Sequence, residues 1–537
     1  MGKKRVCVIG AGASGLTAIK CCIDEGLEPV CFEKSHDIGG LWRYEEKEKE
    51  GACVYNSTII NTSKEMMCYS DCPIPDEFPN YMHNTKIMEY FGIYAKKFNL
   101  MKHINFNTSV LSCEQEEKGS GEVKVKIRNE KTKETSDFEF DAVLVCVGHH
   151  ADPYYPLDAF PGIEKFKGEY FHSHEYRKPQ GYEGKRVLIV GVGNSGGDIA
   201  VELSRQAKQL YWSTRRGCWV MNRVSDQGLP VDIINTTRHQ AFLNWIMPSS
   251  IIRKAVESQL NEKFDHDHYG LRPDNGPFNQ HPFVNDELPN RIINGSVMIK
   301  SNIGCFTEDS VIFDDGTEVE ADAVIFATGF IFQFPFLDDS IAQVNGTESQ
   351  LYKYMWPVGM TKHTLAVIGH VQVLGAVNPV SEMQSRWATR VFKGLATLPN
   401  DNKMLLDINR NKVSLQKRFY NSQRHTMEAD HVAYMDEIAD QIGVKPNMFS
   451  LFITDRKLAR KVWYEFCSGY QYRLKGPGKW AGAREAIMGQ KSRMFCPLHT
   501  RATTKSSKSK KKSLLSYYWL VAVAIGAFYV YRRQHLM

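Results

Sequence analysis

Two stretches of this chain share one pattern, and together they restrict its architecture more than any bulk property does. "VCVIGAGASGL" (6–16) and "VLIVGVGNSGG" (187–197) are each an apolar run closing on glycines at the spacing G-x-G-x-x-G. In the first, "RVCVI" reads as a buried parallel strand, Gly10, Gly12 and Gly15 as the turn, "LTAIKCCIDEG" as a helix and "PVCFEK" as the next strand. Such a βαβ unit uses its first glycine for a tight turn, its second to admit a pyrophosphate and its third for close helix packing. The phosphate then rests on the free N–H groups of the helix start. Glu33 closes the second strand, where a carboxylate binds ribose hydroxyls and repels a 2′-phosphate. The expected ligand is FAD or NAD, and the further glycine turn in "DIGGLW" (37–42) favours FAD.

The second copy differs at one informative place. "KRVLIV" is the strand, Gly191, Gly193 and Gly196 are the glycines, and "SGGDIAVELSRQA" continues as helix. The next strand, "QLYWST", ends in Arg215-Arg216 rather than an acid, and guanidinium groups suit a 2′-phosphate, so this loop is expected to take NADPH. Arg223 is a weaker candidate for the same phosphate. "DAVLVCVG" (141–148) and "DAVIFATG" (322–329) each begin 131 residues after their own first glycine, at positions 10 and 191. Equal spacing predicts two similarly built units, each closed by a returning strand.

The fold expected is α/β, with two Rossmann-like dinucleotide-binding domains, the NADPH domain inserted into a discontinuous FAD domain, and a C-terminal membrane-anchor helix. The boundaries expected are 1–154 and 331–445 for the FAD domain and 155–330 for the NADPH domain, with an insertion at about 217–298. A C-terminal region (446–502), a basic linker (503–512) and the anchor (513–531) follow. Within the insertion, "QAFLNWIMPSSIIRKAVESQL" is rich in large apolar residues; core packing is the default reading and a membrane-facing lid or substrate tunnel the sharper one.

Charge excludes one class of partner. The net charge is +6, and much of the excess sits in "KSSKSKKK" (505–512), leaving the body near balance, unlike a nucleic-acid binder. Thirteen cysteines without a C-x-x-C framework fit reduced thiols and offer no metal site. The tail "LLSYYWLVAVAIGAFYVY" (514–531) carries no charge over 18 residues. As a helix it spans about 27 Å, close to the hydrocarbon core of a thin bilayer. Membrane lipid is therefore an expected partner, whether the tail crosses the bilayer or lies in its interface.

FAD and NADPH on one chain leave a reductase or an oxygenase. A disulfide reductase needs a cysteine pair near the flavin, and "HDIGGLWRYEEK" (36–47) has none. "FKGEYFHSHEY" places Phe166, Gly168, His172 and Tyr176 at the spacing F-x-G-x-x-x-H-x-x-x-Y just before the second glycine loop. "NTSKEMMCYSD" (61–71), "GNSGGD" (193–198), "FDDGT" (313–317), "FATGF" (326–330) and "GPGKW" (476–480) accompany it. On these motifs the whole chain resembles the flavin-containing monooxygenases, in the pattern of the vertebrate microsomal enzymes.

That resemblance implies that NADPH reduces FAD, that O2 adds to give a C4a-hydroperoxyflavin, and that this species oxygenates soft nitrogen or sulfur centres of small lipophilic compounds. It further implies that Asn61 is the active-site residue, flanked by Ile60 and Thr62. Gly10, Ala11, Gly12, Ala13, Ser14, Gly15, Glu33, Gly40, Leu41 and Trp42 would meet FAD, with Gln372 approaching from the returning segment. Asn194, Ser195, Gly196, Gly197 and Asp198 would meet NADP, together with Gly191, Gly193, Arg215, Arg216 and Arg223. The pattern implies an endoplasmic-reticulum membrane protein with its catalytic body facing the cytosol; a homo-oligomer stays open.

"NQHPFVNDELPN" (279–290) looks most like the isoform-five branch, whose Baeyer–Villiger oxidation of ketones is an alternative activity, with His281 a candidate for proton control. Uncoupled NADPH oxidation and a tethered nucleotide-binding protein without turnover are the remaining alternatives. "YEEKEKEGACVYN" (44–56) departs from the family pattern by one residue and a missing arginine, and is expected to loosen local packing.

Overall fold

The computed structural model describes residues 2–47, 51–115, 121–225, 227–280, 282–337, 344–345, 348–419 and 427–501. Two five-stranded parallel sheets organise the unit Met1–Pro497. The first runs in the order Leu365–Val367, Ala142–Val145, Arg5–Ile9, Glu28–Phe32, Ile104–Asn105. The second runs Glu169–His172, Ala323–Phe326, Arg186–Val190, Gln209–Ser213, Val297–Lys300. Their central strands are apolar and buried after an opening arginine because both faces are covered, as parallel sheets require.

The repeat predicted from the spacing holds at the level of single hydrogen bonds. Asp141 accepts from the backbone N–H of Arg5 at 2.7 Å, and Asp322 from that of Arg186 at the same distance. Each returning strand then passes its N–H to the end of its glycine strand, Cys146 to Ile9 at 2.8 Å and Ala327 to Val190 at 2.8 Å. A three-stranded antiparallel meander precedes each returning strand, spanning Thr108–Phe140 in one unit and Ile303–Glu320 in the other.

The outer strand is where the two units differ in chain order. Glu169–His172, the F-x-G-x-x-x-H stretch itself, comes before its glycine loop, whereas Leu365–Val367 enters the first sheet only after the second is complete. Gly168 allows this approach, since a Cβ there would lie 2.5 Å from the Phe166 ring and 2.8 Å from the Asp322 carbonyl. His172 is buried at the strand end, its Nδ1 accepting from the His174 N–H at 3.0 Å, and burial pushes its pKa down to about 4. It is a neutral packing histidine. Tyr176 closes the motif by donating to Glu202 on the helix Asn194–Leu203.

All thirteen cysteines are free thiols. Burial raises the pKa of those in the sheet, Cys7, Cys31 and Cys146, so none is a poised thiolate. The insertion packs into the core in one part and exposes apolar side chains in another. Cys218, Val220, Phe264, Leu271, Phe283 and Leu288 are buried, with Cys218 donating to Leu271 and Thr236 accepting from Cys467. Along the helices Arg238–Ile246 and Ser249–Lys263, Phe242, Trp245, Ile246 and Ile251 stand exposed.

Among the described residues no helix is long and apolar enough to cross a membrane, and the expected linker and anchor (503–531) lie outside the described residues. The departing 44–56 segment is tied down where it is described. Val54 donates to Leu41, Asn56 to Arg177, and His174 meets the Gly51 carbonyl at 2.8 Å.

Candidate active site at two glycine loops

At the first loop Gly10 adopts φ +97°, and a Cβ there would sit 2.9 Å from the Cys146 carbonyl oxygen. A Cβ on Gly15 would overlap the Gly10 carbonyl oxygen at 1.9 Å, so helix and strand touch through backbone alone. The second glycine turn folds onto this loop. Gly39 donates to the Ala11 carbonyl at 3.1 Å, and a Cβ on Gly40 would stand 3.1 Å from the Gly12 Cα. Leu41 and Trp42, in the short turn Gly40–Trp42, are half-buried beside it. Glu33, 9% exposed, accepts from the Ala11 N–H at 2.6 Å and from the N–H and hydroxyl of Ser35. Its carboxylate therefore braces the first glycine loop.

The returning segment completes this wall. Gly369, at φ +79°, has no room for a side chain because Ser14 Oγ would lie 2.3 Å from it, and Ser14 in turn bonds Ser381 at 3.0 Å. Gln372 follows in the strand Gln372–Leu374, held by its N–H to Met427.

At the second loop Gly191 adopts φ +110° and would carry a Cβ 2.5 Å from the Ala327 carbonyl, while a Cβ on Gly196 would meet Gly191 at 2.4 Å. Gly193 caps the helix Asn194–Leu203 with nothing within 4 Å of its missing Cβ, so the crest is open. Residues 283–285 fold over the other side of this helix. The Phe283 ring fills the space of a Gly197 side chain, the Val284 N–H donates to Asn194 at 2.9 Å, and Asn285 donates to Asp198 at 2.9 Å. His281 lies outside the described residues. Arg215 and Arg216 follow their strand exposed, in a turn where Thr214 Oγ1 accepts from the Gly217 N–H at 2.9 Å.

Asn61 sits where the two halves meet. Ile60 is pinned by its N–H to Met82 at 2.9 Å, and Lys64 by its own to Asn80 at 2.8 Å, with the half-buried Asn61 and the buried Thr62 and Ser63 in the turn between. The Asn61 Oδ1 accepts from Arg223 Nε at 2.8 Å. Arg223 also faces Asp198 at 3.6 Å and Asp286 at 3.7 Å. Arg223, expected beside a ribose phosphate, binds Asn61 and these carboxylates, and Arg215 and Arg216 are exposed. Asp198 further accepts from the Tyr55 hydroxyl at 2.8 Å, and its burial raises its pKa.

Sequence reasoning missed Tyr55, Asn285 and Asp286, because nothing local marks a residue whose partner lies far along the chain, as Asp198 does from Tyr55 and Asn285, and Arg223 from Asp286. It also attached no role to the polar side chains from Ser63 to Asp71 in "NTSKEMMCYSD", several of which bind protein. Buried Lys64 donates to the carbonyls of Pro75, Asp76 and Phe78. Glu65 takes a bidentate pair from Arg493, and Ser70 donates to Glu382. Arg473, in the "GPGKW" corner, bonds Glu382, Ser70 and Gly478, and Lys20 bridges Asp24 and Asp71. The segment behind Asn61 is thus a hub that the C-terminal region grips through paired buried charges, where loss of one partner is expensive.

The family model described as flavin-binding monooxygenase-like matches residues 3–532. Flavin-containing monooxygenase 5 of Rattus norvegicus is 53% identical over 511 residues, covering 94% of this chain and 95% of that one. Dimethylaniline monooxygenase (N-oxide-forming) 2 of Macaca mulatta is 49% identical over 529 residues, covering 98% of each. Among solved structures, S-allyl-L-cysteine S-oxygenase from Allium sativum aligns with a TM-score of 0.63 at 21% identity, over 92% of this chain and 99% of that one. An OTEMO complex with FAD and NADP aligns with a TM-score of 0.62 at 16% identity, over 82% and 97%, so the fold is shared well beyond recognisable sequence. With a family match over nearly its full length and relatives about half identical along all of it, the chain belongs to the flavin-binding monooxygenase-like family.

Proposed function

We propose that this chain is a flavin-containing monooxygenase that uses NADPH and O2 to oxygenate soft nitrogen or sulfur centres of small lipophilic compounds. The observation that carries this reading is the Asn61–Arg223–Asp198 chain of contacts, which ties the turn beside the first glycine loop to the helix of the second.

The first loop fits FAD. Backbone at Gly10 to Gly15 leaves a pyrophosphate cradle, Gly40 keeps the turn above it free of side chain, and Glu33 is placed for a ribose. The second fits NADPH, with an open crest at Gly193 and two exposed guanidinium groups at the strand end. On this reading 1–154 with 331–445 form the FAD domain and 155–330 the NADPH domain.

FAD held at Gly10 to Gly15 would supply acceptance of a hydride from NADPH and activation of O2, chemistry that belongs to the cofactor. The chain's own residues hold the parts. Arg223 fixes the Asn61 amide by its oxygen, leaving the Nδ2 hydrogens as the donors this uncharged side chain offers a ligand. Asp198 and Asp286 keep Arg223 in place, so loading the second site is felt at Asn61. The uncharged tail supports anchoring in the endoplasmic-reticulum membrane with the body facing the cytosol.

The test is isotopic. With labelled O2, NADPH and a simple thioether, the purified full chain should place one labelled oxygen in the sulfoxide for each NADPH consumed. Unlabelled sulfoxide, or ester from a long-chain ketone in place of sulfoxide, would overturn the assignment of the reaction.

A further inference from the structure

Behind the Asn61 turn lies a buried carboxyl that the reading above does not use. Asp232 opens the short helix Val231–Asn235 of the insertion, and its Oδ2 accepts the backbone N–H of Ser63 at 2.7 Å. The same corner holds Arg223. The Val231 N–H donates to the Arg223 carbonyl at 2.8 Å, and the Tyr81 hydroxyl donates to that carbonyl too. Asn61, Ser63, Asp232, Val231 and Arg223 therefore close a ring of contacts, with Asp232 as its one titratable anchor on the Ser63 side. Two atoms in that ring are buried without a hydrogen-bond partner, Asp232 Oδ1 and Ser63 Oγ.

A serine hydroxyl can turn to donate to an ionised carboxylate, and bonds to an ionised acceptor are about twice as strong as neutral ones. The ionised acid thus grips Ser63 by both N–H and hydroxyl, and the neutral acid grips it weakly. The charged and titratable groups facing this corner are Tyr81 from the loop before His83, and Arg223 and Asp286 from the insertion. Arg223 is the cation among them, and it is already shared between Asn61, Asp198 and Asp286.

We propose that Asp232 is a positioning residue whose ionised carboxylate clamps the Asn61–Ser63 turn, so that the coupling of NADPH oxidation to oxygen transfer follows its charge. This rests on the monooxygenase reading. Burial raises the acid to about 6, within reach of ordinary assay conditions. Deprotonation is the gripping state, so coupling is high above that pH and is lost as pH falls through it.

The experiment measures hydrogen peroxide released per NADPH, from pH 5.5 to pH 8, for the flavin-loaded wild type, Asp232→Asn and Asp232→Ala. In the wild type the peroxide fraction should rise about tenfold toward acid, the size expected when a bond worth roughly 1.4 kcal/mol is lost. Asp232→Asn keeps a neutral acceptor for Ser63 and should leak at a steady level near that of the acidic wild type, whatever the pH. Asp232→Ala should leak more than Asp232→Asn throughout, with the amide as partial rescue. The rate of anaerobic flavin reduction by NADPH should stay the same in wild type and Asp232→Asn, since neither cofactor loop is touched. A pH profile for Asp232→Asn that parallels the wild type, whatever its change in melting temperature, would leave Asp232 a structural anchor and overturn the proposal. A wild type that fails to oxidise NADPH would instead overturn the monooxygenase reading itself.

Discussion

The two glycine loops have one backbone and two environments. Gly10 and Gly191 share a left-handed conformation, and Gly15 and Gly196 share a close approach to the first glycine's carbonyl. Around the first, Gly40 stacks on the crest and buried Glu33 is already bonded into the loop. Around the second the crest at Gly193 is open and the charged ends, Arg215 and Arg216, stand in solvent. A site walled by its own protein suits a cofactor that stays, and an open site with exposed charge suits one that arrives and leaves with each turnover. The difference teaches that the repeated βαβ geometry sets only where a pyrophosphate goes. How long it stays is decided by what the rest of the chain lays over it.

The comparison breaks most severely at the paired glycines. A side chain at Gly10 or Gly191 must bear a φ near +100° and a carbonyl contact under 3 Å, a strain of about 1–3 kcal/mol before any clash is relieved. Gly10→Ala should purify with most of its flavin gone. Gly191→Ala should purify yellow, with its flavin no longer reduced by NADPH. Flavin content from the visible spectrum and anaerobic bleaching separate the two; equal flavin loss in both would mean that the loops are not divided between the cofactors.

A smaller effect sharpens the contrast in exposure. Charges in solvent are screened as the Debye length falls from about 10 Å at 0.1 M salt to about 3 Å at 1 M, whereas a buried carboxylate is not. The KM for NADPH should therefore rise several-fold over that range while flavin retention on dialysis stays constant. A KM indifferent to salt would remove Arg215 and Arg216 from phosphate recognition.

Much of this was legible because it is local in the chain. Strand, glycines, helix, strand and terminal residue lie within about thirty positions, and periodicity and side-chain charge report each of them. The 131-residue spacing carried further, down to Asp141 and Asp322 bonding their own first strands. What stayed hidden is non-local. That Glu169–His172 would complete the second sheet and Leu365–Val367 the first depends on which edge each strand reaches, and a strand's own residues do not encode its neighbour. Arg223 was named for the two arginines it follows in sequence; that it also bonds Asn61, 162 positions away, no local signal reports. His172, marked by a motif, is a buried neutral ring, while Asp232, marked by nothing, holds the turn beside Asn61.

The division of labour between the loops is tested most directly by anaerobic reduction of the bound flavin with NADPH and with NADH, in the wild type and in Arg215→Ser/Arg216→Ser. Each guanidinium bond to a phosphate is worth about 1.5–3 kcal/mol, so losing the pair should raise the NADPH concentration for half-maximal reduction by about a hundredfold or more. The account predicts that NADH, which lacks the 2′-phosphate, reduces both proteins alike, and that both carry full flavin. Undiminished preference for NADPH in the double variant, or loss of flavin from it, would contradict the assignment of one loop to each cofactor.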